Sequence, residues 1–227
     1  MTIATVKRAL KKVPPLFHAA RAVQSAGRTV FGPAWLKWQV ERNQKEGRPL
    51  RVVIGSSWVY DAGWIPTNVQ YLNLLNESHW QRAFGNQKID ALLAEHVWEH
   101  LTAEGGKRAA VQCFTALKPG GYLRIAVPDG HHPDPDYIEF VRPGGSGSGA
   151  PDHKVLYTHE SLSEMLAGAG FEVELLEYYD REGKFHRKEW DLSRGTIGRR
   201  VGSTEKRPSG GVIQYTSLIA DAHKPKR

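Results

Sequence analysis

The sequence predicts an α/β fold built on a mostly parallel sheet. Three observations carry that expectation. Short β-branched or apolar runs that end at glycine or proline, such as Arg51-Val-Val-Ile54-Gly55 and Tyr122-Leu-Arg-Ile-Ala-Val127-Pro128, read as buried strands. Helical segments alternate with them, one opened by Thr102 and stopped at Lys118-Pro-Gly-Gly121, another opened by Thr158 and ended at Gly170. The last two strand segments are joined by polar chain without a helix, which makes one of them antiparallel at or near the sheet edge.

Taken in order, residues 16–46 read as helical, interrupted at Gly32-Pro33, and belong to a basic N-terminal arm over residues 1–48. The α/β domain spans residues 49–227. After the strand at 51–54, a second short strand ends near Thr67-Asn68, a third covers part or all of Val69–Leu74, and a fourth lies at Lys88–Leu93. The helix from Thr102 to about Leu117 carries Glu104 in its first turn, where a negative charge suits the helix dipole. Its pairs Ala110/Phe114 and Cys113/Leu117, four residues apart, share one side. The strand Tyr122–Val127 follows, then a loop-rich stretch over 129–157, a helix from Thr158 to about Ala169, a strand at Phe171–Tyr178 and a last strand at Val212–Ala222.

Composition narrows the function classes. The chain has 227 residues, 40% of them hydrophobic, enough for a real core and against wholesale disorder. No run approaches the length of a membrane-spanning helix. The single cysteine, Cys113, excludes an internal disulfide and suits a reducing compartment, so a cytoplasmic location is expected. The net charge of +7 is unevenly placed: +7 over residues 1–40, −7 over 41–180 and +7 over 181–227. The acidic middle breaks any continuous basic footprint, so nucleic acid is not the expected partner. The N-terminal arm carries Leu16, Phe17, Trp35, Leu36 and Trp38, apolar bulk that would pack on its own domain or on a second copy of the chain.

In open α/β sheets, ligands bind outside the carboxyl ends of the strands. Gly55-Ser-Ser57, Asn68, Asn73, Glu95-His96 and Pro128-Asp-Gly130 all fall just after expected strands. Singly, each glycine or asparagine is an ordinary turn residue; together they mark one edge of the sheet.

Val52-Val-Ile-Gly55, Gly63-Trp-Ile65, the block Asp90-Ala-Leu-Leu-Ala-Glu-His-Val-Trp-Glu-His-Leu101 and the block Leu117-Lys-Pro-Gly-Gly-Tyr-Leu-Arg-Ile-Ala-Val-Pro-Asp129 resemble the class I S-adenosylmethionine (SAM) dependent methyltransferases. The nearest likeness is to a bacterial branch acting on small molecules, with a degenerate glycine loop. The resemblance covers roughly residues 50–222 and implies a Rossmann-like methyltransferase sheet with SAM as cofactor. It places Gly55, Ser56 and Ser57 at the glycine loop, where backbone approaches the cofactor because no side chain intervenes. It places Asn68 at the ribose, Asn73 at the adenine, and Glu95 and His96 at the methionine portion.

The departures concern affinity. Ser56, Ser57 and Trp58 stand where small residues are usual, and asparagine replaces a carboxylate at both Asn68 and Asn73. A carboxylate accepts two charge-assisted hydrogen bonds where an amide oxygen accepts neutral ones. Each replacement costs on the order of 1–2 kcal/mol of cofactor binding, or about tenfold in affinity.

Methyl transfer from SAM is an in-line displacement at a sulfonium carbon, so the protein supplies proximity, alignment and exclusion of water. A base is needed only for an acceptor that carries a proton. The loop Pro128-Asp-Gly-His-His-Pro-Asp-Pro-Asp136 makes Asp129 and His132 the first expected catalytic residues, with His96 and His100 behind them and His131 and His153 as further candidates. The acceptor implied is a small or sugar-containing molecule. Two alternatives accompany this reading. In one, the fold has lost or altered methyl transfer. In the other, His96-Val-Trp-Glu99-His100 matches the H-x-x-E-H pattern of inverted zinc peptidases and would give a metal-dependent hydrolase. The methyltransferase context of that block argues against the second, and no metal ligand is assigned.

Overall fold

The computed structural model describes residues 14–56, 61–206 and 212–226. Its main sheet has seven strands in the order β2-β1-β3-β4-β9-β5-β6, and β7 and β8 form a separate pair. The strands are β1 (Arg51–Ile54), β2 (Ile65–Pro66), β3 (Ile89–Glu95), β4 (Leu117–Pro128), β5 (Glu172–Tyr179), β6 (Phe185–Arg187), β7 (Ser203–Lys206), β8 (Val212–Tyr215) and β9 (Ser217–His223). Strands β2, β1, β3 and β4 run parallel, β9 is antiparallel to both β4 and β5, and β6 is antiparallel to β5. This is the expected α/β fold, a Rossmann-like mixed sheet with parallel N-terminal strands, antiparallel pairing among its C-terminal strands and an N-terminal helix.

Among the described residues, five helices accompany it: α1 (Pro14–Lys45), α2 (Glu77–Phe84), α3 (Ala103–Ala116), α4 (Pro135–Val141) and α5 (His159–Gly168). Four of them bury side chains against one face of the sheet. Leu36 and Val40 of α1, Trp80 and Phe84 of α2, Ala109 and Cys113 of α3, and Leu162 and Leu166 of α5 share a core with Val52, Ile54, Leu92, Leu123 and Ala220. The opposite face, with Val53, Ala91, Leu93, Ala126 and Ile219, is covered by Trp64, Trp190 and Ile197 from irregular chain. Among the described residues no helix shares this second core. The connection from β1 to β2, residues 55–64, is shorter than the dozen or more residues of a usual helical crossover.

The segment after β6 takes the place of helices on that face. It is fastened by buried polar groups rather than by its own secondary structure. Arg124 donates to the carbonyls of Asp191 and Gly195 at 2.9 and 2.7 Å. The fully buried Glu177 accepts from Trp190 Nε1 at 3.1 Å and from the Val201 amide at 2.9 Å. The Tyr122 hydroxyl donates to Arg194 O at 2.8 Å.

Several local expectations are corrected. Pro33 lies inside α1 and does not interrupt it; Leu36 and Val40 beyond it are buried in the core, which holds the helix through the lost hydrogen bond. Gly32 permits the Tyr71 ring to lie where a Cβ would come within 2.3 Å of it. Val69–Leu74 is not a strand: the Tyr71 and Leu72 amides both donate to Asn68 O, closing a turn. Helix α2, absent from the sequence reading, begins at Asn76, whose side chain accepts from Ser78 N. The expected last strand is divided at Thr216 into β8 and β9. Strand β9 is antiparallel, as expected, and lies two strands in from the β6 edge, with Ser217–Ala222 buried on both faces.

Candidate active site

The strand order reverses between β1 and β3, so their carboxyl ends frame the cleft that such sheets use for ligands. At the tip of β1, Gly55 adopts φ +66°, and a Cβ there would lie 2.8 Å from Val97 Cγ2. The glycine thus allows the β1 tip to meet the turn after β3. Ser56 beside it is half-buried, and Ser57 and Trp58 lie outside the described residues. Asn68, just past β2, is half-buried and its side chain makes no hydrogen bond with the other described residues. Asn73 Oδ1 accepts from the Leu75 amide at 2.8 Å, so its oxygen belongs to a turn. Both oxygens of Glu95 accept backbone amides of the covering segment, Arg199 N at 2.8 Å and Gly198 N at 3.0 Å.

The turn after β3 is the most elaborate feature of this edge. His96 has φ +55°, a conformation that costs a non-glycine residue on the order of 1–3 kcal/mol and clusters at functional sites. Its Nδ1 lies 2.7 Å from Glu99 Oε1 and its Nε2 3.0 Å from Ser217 Oγ. Residues Trp98–His100 form one 3₁₀ turn, so His96 and His100 do not share a helical face as the peptidase-like spacing would require. Trp98 is fully buried and donates to Gly106 O at 3.2 Å, tying the turn to α3. Glu99 is fully buried, and its Oε2 has no hydrogen-bond partner among the described residues.

A second loop closes on this turn. The Glu99 carbonyl accepts from Lys154 N at 2.6 Å and Val155 N at 3.3 Å, which brings residues 147–153 over the histidines. His100 Nδ1 lies 3.1 Å from Asp152 Oδ2, and the His100 and His153 ring centroids are 4.9 Å apart. His153 Nδ1 is 2.6 Å from Val141 O. A carbonyl only accepts, so Nδ1 carries the proton and Nε2 keeps its lone pair. Burial chiefly lowers the His153 pKa below the ordinary histidine range. Between turn and loop lies a cavity of about 190 Å³, lined among others by His96, Glu99, His100, His153, Arg199 and Tyr215. A larger apolar groove of about 480 Å³ lies between α3 and α5, in the helical layer.

The structure separates the expected catalytic residues into two groups. His96 and His100 line the cavity; Asp129 and His132 do not. Asp129 is fully buried, with Oδ1 accepting from His131 N at 3.0 Å and Oδ2 from Tyr179 N at 2.7 Å. Burial raises its pKa, against the lowering effect of those two amides. His132 stacks on Tyr137 at 3.9 Å, its Nδ1 accepts from Asp134 N, and burial lowers its pKa. Tyr137 stands between the groups: its hydroxyl accepts from Asp129 N, donates to Thr216 O, and its ring is 5.2 Å from Tyr215. His131 joins His159 around Glu160, which Arg181 also meets at 2.6 Å. No local sequence pattern joins Glu99 and His153 to one site. The partnership depends on a loop closure about fifty residues along the chain, which no local spacing reveals.

No family model and no curated protein matches this chain. Among solved structures, it is similar to an O-methyltransferase family protein from Burkholderia thailandensis at 12% identity and a TM-score of 0.42, covering 72% of this chain and 36% of that one. It is also similar to a SAM-dependent methyltransferase from Methanosarcina mazei at 12% identity and a TM-score of 0.40, covering 72% and 68%. A SAM-dependent methyltransferase from Archaeoglobus fulgidus is similar at 16% identity and a TM-score of 0.40, covering 85% and 94%. The chain spans only 36% of the length of the Burkholderia protein. No helix among the described residues is long and apolar enough to cross a membrane.

Proposed function

We propose that the chain binds SAM over the carboxyl ends of β1 and β2 and transfers methyl to a small or sugar-containing acceptor. The observation that carries this reading is the side-chain-free β1 tip at Gly55, which meets Val97 of the same turn whose His96, Glu99 and His100 line the polar cavity. Gly55 and Ser56 would lie against the methionine end of the cofactor, and the uncommitted Asn68 amide would meet its ribose. Bound SAM supplies a methyl group already attached to a sulfonium leaving group. The cavity is smaller than a whole-ligand pocket, which suits it to part of an acceptor. Arg199, with the rings of His100 and His153 beside it, would orient that part.

The test is Asn68→Asp. A carboxylate facing the ribose should tighten SAM binding about tenfold; unchanged or weaker binding would remove Asn68 from the site. A second reading, a fold that no longer transfers methyl groups, is favoured by one arrangement: both Glu95 oxygens already accept backbone amides, and the Asn73 oxygen accepts one in its own turn. That reading predicts no SAM binding in either protein.

A further inference from the structure

We infer that Glu99, His100 and His153 form a binding site for one divalent transition-metal ion of the zinc class. One ligand atom from each lies within 4.8 Å of the others. A tetrahedral site needs such atoms about 3.3 Å apart, a closure within reach of the partly exposed His100 side chain. Two imidazoles and one carboxylate are a borderline donor set, and three protein ligands leave a coordination position open toward the cavity.

Two independent features point to an ion rather than to ordinary packing. The first is the Glu99 Oε2 atom, fully buried and without a partner among the described residues while Oε1 is held by His96. The second is the orientation of both rings. His153 gives its Nδ1 proton to a backbone carbonyl, and His100 Nδ1 faces the Asp152 carboxylate. Metal-binding histidines are held in this way, with the far nitrogen left for the ion. The other two clusters of similar composition differ in kind: Glu160 is paired with Arg181, and Asp221 with Arg124. The cavity also holds Arg199, whose guanidinium lies over the Tyr215 ring at 5.8 Å. The ligand set is not the one the H-x-x-E-H spacing suggested, since His96 is engaged by Glu99 and Ser217.

The inference does not rest on methyl transfer, and its test fails separately from SAM binding. Chelator-stripped, tag-free full-length protein is titrated with Zn(II) against a chromophoric competitor and with Co(II) by visible absorption. One equivalent is expected. His100→Gln and His153→Gln should each weaken binding by at least about 100-fold and Asp152→Asn by about tenfold, while His131→Gln leaves it unchanged. The unsubstituted protein gives a readout free of folding effects: the Co(II) form should show two paramagnetically shifted, exchangeable imidazole N–H proton signals, one per ligating ring. Absence of saturable binding, fewer than two such signals, or loss of binding in His131→Gln in place of His153→Gln would overturn the site.

Discussion

Arg124 and Asp221 stand opposite each other on the antiparallel pair β4 and β9 and form a bidentate ion pair at 2.8 and 2.9 Å. Their side chains are 1% and 2% exposed. The remaining Arg124 donor reaches the carbonyls of Asp191 and Gly195, so one guanidinium fixes both the β4–β9 register and the segment covering that face. Removing one partner leaves a buried charge unpaired, which costs about 3–5 kcal/mol. Asp221→Asn should lower unfolding free energy by that order in urea titrations. Amides of residues 190–201 should also exchange faster, because their anchor is loosened.

Gly55 and Val97 make a second close relationship. A side chain at Gly55 meets two penalties, the left-handed backbone, about 1–2 kcal/mol for an L-residue, and the collision with Val97 Cγ2 at 2.8 Å. Gly55→Ala should destabilise the protein by about 1–3 kcal/mol in chemical denaturation. Adding Val97→Ala should recover the steric part and leave the backbone part. Full recovery would show that the backbone conformation carries no cost.

These two relationships also show what the sequence made legible. The β1 strand and its terminal glycine were readable because a β-branched run ending at glycine has few other uses. The helices capped by Thr102 and Thr158 were readable from their side-chain oxygens, and both caps are present. Helix α2 was missed although Asn76 and Glu77 carry the same kind of signal, because the apolar residues before it resembled a strand. The interior position of β9 was not legible: Asp221 reads as a solvent-facing residue until Arg124, far away in sequence, is known to lie opposite it. The site divided in the same way. His96 and His100 were visible from their place after a strand. The role of Glu99 depends on its burial and that of His153 on the loop that Glu99 holds, both tertiary facts.

Acid should weaken the fold partly through Glu160. Burial acts to raise its pKa, but Arg181, the local backbone, Thr158 and His131 outweigh it and hold the carboxyl well below the usual range. A carboxyl depressed in the folded state stabilises above its unfolded pKa, near 4.5, and loses that contribution as pH falls toward its folded value. Glu160→Gln should therefore lower the melting temperature clearly at pH 5.5 and progressively less as pH approaches 3. An equal effect at both values would contradict the pairing.

The most direct measurement is calorimetric titration of the full chain with SAM and with S-adenosylhomocysteine. Saturable binding of both at one per chain is predicted, weakened by the two asparagines but still tighter than roughly millimolar. No heat of binding from either ligand at about millimolar concentration would contradict the proposed function.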